Sequence, residues 1–267
     1  MKRLVAFAAA LLVTTALAAT AGASTASAPT MHPGQLVVAF GDPAVNFADG
    51  KLRGSNFINP KGYEVDLAKA IASRLHLTPK YVYAPWAKLF APGSKDFDVS
   101  LQEATITAAR ARTVDFSKSY LNANQGVLIS KDTTAPKSLA DLKQLQTCAQ
   151  VDTTGLGYIQ TRLHPTQKPL VYQSTAAAFT AVQIGRCDAL VLDVPIVALQ
   201  KKSKPGAYGP VAGQIVTKEQ YGIVMPKGSK LKPLVNTAIT KLTKNGTIGK
   251  LQKKWFNLNF GAIPVLK

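Results

Sequence analysis

At 267 residues and 46% hydrophobic content, the chain can build a sizeable core in one domain or two lobes. Lys+Arg of 32 against Asp+Glu of 14 give a net charge of +18, which excludes an acidic disordered chain, and 17% charged residues are too few for a polybasic tail. Two cysteines and three histidines exclude a thiolate zinc cluster or a His-rich metal cage.

The chain opens with Lys2 and Arg3, a charge-free apolar run from Leu4 to Ala19, and A-x-A cleavage candidates ending at Ala23 and Ala28. This is the layout of a secretory signal over residues 1–28, and the run is short of the roughly 20 residues that span a bilayer. No cysteine stands behind it to take a lipid, so an exported, unanchored protein of the periplasm or extracellular space is expected. Leu36 to Phe40 then reads as a strand, and Leu67, Ala68, Ile71, Ala72 and Leu75 form one stripe of a helix over Val65 to Leu75. Tyr81 to Tyr83, Asp98 to Leu101 and Gly126 to Ser130 read as strands.

Ser138 caps a short helix running to Leu145, Gln146 to Val151 is a strand, and Thr153-Thr154-Gly155 opens the next helix. Ser174 to Ile184 is an amphipathic helix stopped by Gly185. Ala189 to Leu192 is a buried strand ending at Asp193. Tyr221 to Met225 is a further strand, followed by helices from Leu231 to Lys244 and from Thr247 through Phe256. Such alternation predicts an α/β fold with parallel sheets covered by helices. In an oxidising compartment Cys148 and Cys187 form a disulfide or stay as two buried thiols. A bridge closing about 40 residues would stabilise by roughly 3–4 kcal/mol on a chain-entropy argument.

Several segments recur in one order: G-Y-E-V-D-L-A-K-A-I-A at Gly62, P-W-A-K-L at Pro85, A-T-I-T-A-A-R from Ala104, S-L-A-D-L-K at Ser138, D-T-T-G at Asp152, G-R-C-D-A-L-V-L-D at Gly185, Y-G-I-V-M-P-K-G-S at Tyr221 and N-G-T-I-G-K-L-Q-K-K-W-F at Asn245. In this order and spacing the chain resembles the family-3 extracellular solute-binding proteins, the polar amino-acid receptors of ABC importers, over about residues 34 to 260. The resemblance implies a two-lobed periplasmic-binding-protein fold of type II, with two crossing strands as the hinge. Lobe 1 would comprise 34–123 and 222–262 and lobe 2 124–221, so that Trp255 packs with the N-terminal half and not near Cys148. It further implies an amino acid ligand, an ABC permease in the inner membrane as partner, and a monomer with no metal or organic cofactor.

A zwitterion needs N–H donors for its carboxylate and acceptors for its ammonium. Arg110 ends the T-I-T-A-A-R run, where the family places a carboxylate-clamping guanidinium able to give two parallel N–H bonds. Arg112 lacks the matching position and reads as surface. Thr105 aligns with a residue that reaches the ligand backbone, and Thr154, at a helix start, would close the carboxylate clamp from the other lobe. Asp193 ends a buried strand, where an acid is costly unless paired, and in the family it meets the ligand ammonium. Trp86 matches an aromatic position against the ligand side chain. Asp42 follows the first strand, but Ala44 and Val45 replace the aromatic expected just after it, leaving Phe40 and Phe47 as candidate walls. Glu103 stands where relatives carry glycine or serine lining the amine pocket, and with Asp42 it would favour a cationic or strongly polar ligand; an outward surface glutamate is the alternative.

Other readings compete. Some relatives are enzymes, dehydratases among them, and Glu103 is then the candidate buried acid; a soluble ligand-sensing domain on the same scaffold is the other alternative to a transport receptor. The lysines between Lys227 and Lys254 prompt nucleic-acid binding, but they fall on the polar faces of amphipathic helices without interleaved aromatics, so no nucleic-acid partner is expected.

Overall fold

The computed structural model describes residues 28–267; the expected signal segment lies outside the described residues but for Ala28. Strand β1 (Gln35–Phe40) is buried after its first residue. Its alternation sends Leu36, Val38 and Phe40 to the face covered by helix α1 (Tyr63–Arg74), and Val37 and Ala39 to the opposite core. Between them lies a hairpin, β2 (Asp49–Arg53) and β3 (Asn56–Lys61). The sequence reading contains no such hairpin, because its residues are mostly exposed and lack hydrophobic alternation. Gly62, at φ 138°, leads into α1; a Cβ there would sit 2.1 Å from the Phe47 carbonyl oxygen. β4 (Thr78–Tyr83), α2 (Trp86–Leu89) and the two-residue β5 (Val99–Ser100) complete this half, with β4 and β5 parallel to β1 on either side.

Two 16-residue strands, β6 (Val114–Ile129) and β10 (Val211–Pro226), run antiparallel through the middle of the molecule. The second half holds α3 (Leu139–Gln144), β7 (Thr147–Gln150), α4 (Thr154–Tyr158), β8 (Leu170–Tyr172), α5 (Thr175–Gln183), β9 (Ala189–Asp193) and α6 (Val194–Ser203). The sheet order is β2-β3-β4-β1-β5-β10-β6-β9-β7-β8. β4 and β5 flank β1 in parallel, as β8 and β9 flank β7, but β3 is antiparallel to β2 and β4 and the crossing strands are antiparallel to their neighbours, so the sheet is mixed and not wholly parallel. Two separate sets of cores, one around α1 and one around β7 and β9, make two lobes. Ser138 caps α3 in a reciprocal box with Asp141, Ser174 caps α5, and Gly185 (φ 70°) follows the C-cap of α5.

The pairing of β6 with β10 slips between Ile215 and Glu219, where four residues of β10 match two of β6. Asn124 pins this bulge: its Oδ1 accepts from the N–H groups of Thr217 (3.2 Å) and Lys218 (3.1 Å), and its Nδ2 donates to Gln214 Oε1. After β10, α7 (Lys232–Lys244) and α8 (Thr247–Trp255) return to the first half. Trp255 packs there, its Nε1 donating to Asp66 at 2.8 Å. Cys148 and Cys187 are joined by a disulfide, their Cα atoms 6.1 Å apart.

The C-terminal tail then crosses back to the second half. A 3-10 turn at Phe260–Ala262 leads to Pro264, whose carbonyl accepts from Gln214 N–H at 2.7 Å. The Gln214 side chain donates to Ile263 O, the Leu266 side chain is buried beside Ile215 and Val127, and Lys267 O accepts from Leu139 N–H.

Candidate functional site

Between the halves lies a cavity of about 350 Å³. From the first half, the 3-10 turn Arg110–Arg112 presents Arg110 to it; Arg112 is exposed. The guanidinium donates from Nη1 to Thr105 O and from Nη2 to Asp152 O, both at 2.9 Å, the second bond reaching across to the other half. It lies 4.2 Å from the Phe90 ring centroid and 5.1 Å from that of Trp86, which fixes its plane. Trp86 lines the cavity edge-on to Phe90, and its buried indole N–H has no partner within the protein.

From the second half come Thr154 and Asp193. The cap of α4 is Thr153, whose Oγ1 accepts from Leu156 N–H at 3.2 Å. Thr154 is therefore the first helical residue, and its N–H has no carbonyl one turn back to receive it. Asp193, at the end of β9, is buried but not ion-paired: Oδ1 accepts from Gln125 Nε2 at 2.5 Å and Oδ2 from the Tyr221 hydroxyl at 2.6 Å. Burial, with Glu219 adding like charge, pushes its carboxyl up to about 7, while Tyr221, Gln125 and Arg110 pull the other way.

The hinge supplies a residue that the sequence reading missed. The β10 bulge delivers Glu219, whose Oε2 accepts from Thr105 Oγ1 (3.0 Å) and Thr154 Oγ1 (2.6 Å), so one carboxylate ties a residue of each half to the crossing strand. Gln125 Nε2 also reaches Glu219, at 3.2 Å. The signal was a glutamate among the few acids of this chain, but its position depends on a bulge that no periodicity announces.

Behind the first-half wall, Glu64 is fully buried in α1 and accepts from the Tyr120 hydroxyl and from Glu103 N–H (2.9 Å). Burial raises its carboxyl to about 7. Glu103 lines the cavity in a left-handed conformation (φ 48°) that few non-glycine residues adopt. Burial first, then Glu64 and Asp193, raise its carboxyl well above the ordinary glutamate range.

The structure thus brings Arg110, Thr105, Asp193, Thr154, Trp86, Glu103, Asp42 and Phe47 to one cavity. Asp42 is exposed at its mouth and accepts from the Tyr83 hydroxyl; Phe47 is buried among Tyr63, Tyr221 and Phe256, with its edge on the cavity. Phe40 is not part of the lining. As the last residue of β1 it shares the α1-facing side with Val38, and its ring packs against Phe57 and Tyr81. Among the described residues, no group of three or more His, Cys, Asp or Glu side chains is placed to hold a metal.

Two α/β lobes joined by paired crossing strands, with charged groups of opposite sign facing across the gap, define a two-lobed binding protein of the type II periplasmic fold. The chain belongs to the bacterial extracellular solute-binding proteins, family 3, which it matches over residues 49–258. It is 30% identical over 203 residues to the ABC transporter arginine-binding protein 1 of Escherichia coli, covering 73% of this chain and 81% of that one. It is 30% identical over 201 residues to the ABC transporter glutamine-binding protein GlnH of Bacillus subtilis, covering 73% and 72%. Among solved structures, an ancestral arginine-binding protein bound to arginine superposes with a TM-score of 0.70 at 30% identity, covering 84% of this chain and 98% of that one. An ancestral amino acid-binding protein described as a precursor of cyclohexadienyl dehydratase gives 0.72 at 31%, covering 84% and 95%.

Proposed function

We propose that the protein is an exported monomeric receptor that captures a free amino acid between its lobes and delivers it to an ABC permease in the membrane. The observation that carries this reading is the placement of Arg110 and Asp193 on opposite walls of one cavity. Arg110 binds the ligand carboxylate through its fork, with the free N–H of Thr154 completing the clamp from the second lobe. Asp193 accepts from the ammonium, and Thr105 lies between the two ends. The lobes divide at 34–123 with 222–262, and 124–221. Only the closed form contacts the ligand from both sides, so binding free energy draws the lobes together. Relatives that serve ABC transporters support the delivery step. Export rests on the signal-like segment at 1–28 and on the extracellular description of the family. Among the described residues no helix is long and apolar enough to cross a membrane.

A thermal-shift screen of the twenty amino acids tests the reading. A true ligand at a hundredfold excess over its Kd stabilises by about 2.7 kcal/mol. No shift with any of them would refute it. A second reading, an elimination enzyme, draws on the half-buried acid Glu103 in the cavity lining and on the dehydratase precursor among the structural neighbours. Turnover of a bound compound, followed by mass, separates it from transport.

A further inference from the structure

Glu219 stands outside the cavity lining yet governs two residues inside it. It is half-buried on β10, aimed inward by the bulge that Asn124 pins. Its Oε2 accepts from Thr105 Oγ1 at 3.0 Å and from Thr154 Oγ1 at 2.6 Å, and both threonines line the cavity. A threonine hydroxyl has a single proton. With that proton spent on Glu219, each oxygen presents only lone pairs to whatever enters. Gln125 Nε2 lies 2.5 Å from Asp193 Oδ1 and 3.2 Å from Thr154 Oγ1, which sets the Thr154 oxygen beside Asp193. Thr105 is held against β10 by its neighbours' backbone, Ile106 N–H donating to Gln220 O at 2.9 Å and Gly222 N–H to Ala104 O at 3.0 Å. Among the described residues the lining carries two cations. Arg110 reaches Thr105 through the carbonyl and not the hydroxyl, and Lys204 is exposed at the end of α6.

Resting on the amino-acid reading above, we propose that Glu219 is a positioning residue: by taking the hydroxyl protons of Thr105 and Thr154 it makes both residues acceptors and so fixes which end of the ligand lies at Asp193. An ammonium brings three N–H donors. Asp193 already accepts from Gln125 and from Tyr221, and the two threonine oxygens supply the acceptors it lacks. A ligand carboxylate turned to this end would meet lone pairs from Asp193, Thr105 and Thr154 and no free hydroxyl proton from either threonine. Glu219 acts through the two hydroxyls without touching the ligand. Because Thr105 comes from the first half and Thr154 from the second, the full set of acceptors is assembled only when the lobes are closed.

The probes are the amino acid that gives the unaltered protein its largest thermal shift among the twenty and the counterpart of that amino acid with hydrogen in place of the α-ammonium. Titration calorimetry reads the first, and displacement of the first reads the second. Glu219→Ala frees both hydroxyls to turn their protons into the cavity. It should weaken the amino acid at least about 10-fold, about 1.4 kcal/mol, and the counterpart by less than about twofold. In a Thr105→Val, Thr154→Val background the same substitution should change the Kd of the amino acid by less than about twofold, because no hydroxyl is left for Glu219 to orient. Glu219→Gln keeps the shape but halves the acceptor oxygens; it should lower the ratio in the same direction, and it carries the test if the alanine variant does not melt cooperatively. An unchanged ratio of the two probes in a folded Glu219 variant, or an undiminished loss in the threonine-free background, overturns the inference and leaves the amino-acid reading intact. If no amino acid binds the unaltered protein, that underlying reading itself falls.

Discussion

Replacing Arg110 separates charge from geometry. Its guanidinium spends two N–H groups on Thr105 O and Asp152 O and is held flat beside Phe90 and Trp86. The remaining donors are free for a ligand carboxylate, at about 1.5–3 kcal/mol for each charge-assisted bond. Arg110→Ala removes two such bonds, about 3–6 kcal/mol, and should raise the Kd for the best amino acid by roughly 10²–10⁴. Arg110→Lys keeps the charge but offers a point donor in place of a planar fork and gives up the ring stacking. It should lose about one bond, roughly 10- to 150-fold in Kd. Titration calorimetry with the top hit of the amino-acid screen measures both, and circular dichroism melts check that the fold survives. Of the two carbonyls left behind, Thr105 O belongs to a residue of the cavity lining and Asp152 is exposed, so both can take water and the melting point should move little. If Arg110→Lys binds within twofold of the unaltered protein, the clamp reasoning is wrong.

The disulfide should contribute about 4 kcal/mol for its 39-residue separation. Cys148→Ser with Cys187→Ser should therefore lower the melting temperature by about 8–16 °C in calorimetry. Glu64 and Asp193, both pushed up to about 7 by burial, keep protons in the folded protein that the unfolded chain gives up near pH 4. Their stabilisation is complete below about pH 4 and is lost as pH rises through about 7, so the melting temperature of the empty protein should fall across that window. Asp193→Asn should flatten part of that fall. Leu266→Ala, which opens a cavity beside Gly213 and Ile215, should cost about 2–5 kcal/mol in urea unfolding.

The elements legible in the sequence were those with one strong apolar face. The stripe of α1, the capped α3 and α5, and the buried β9 lie within a residue or two of their expected bounds. What escaped was polar or half-exposed. The β2–β3 hairpin has little apolar alternation, and α6 follows β9 without a break because Pro195 can begin a helix as readily as end a strand. The crossing strands were read only where apolar residues cluster, since S-K-S-Y-L-N-A-N-Q in β6 and T-K-E-Q in β10 look like loop. Arg110, Thr105, Thr154 and Asp193 fell in motifs and reach the cavity, and Glu103 stands just ahead of one; Glu64 lies in the motif at Gly62 but its place behind the wall, like those of Glu219 and Gln125, comes from tertiary geometry. Phe40 was misplaced because proximity in sequence to Asp42 says nothing about which face of β1 a side chain takes.

The tail from Phe256 to Leu266 has a mechanical meaning. Besides the paired strands, it is a leash: one end is buried against α1 by Phe256, the other stitched to Gln214 and sunk into the second lobe by Leu266. When the jaws part, the coiled turn at Phe260–Ala262 is the slack. Unwinding three residues from about 2.0 Å to about 3.3 Å of rise each pays out only about 4 Å. Further opening draws on Asn257–Asn259 and then on the bonds to Gln214, so the tail from Phe256 to Leu266 opposes the parting of the lobes alongside the hinge.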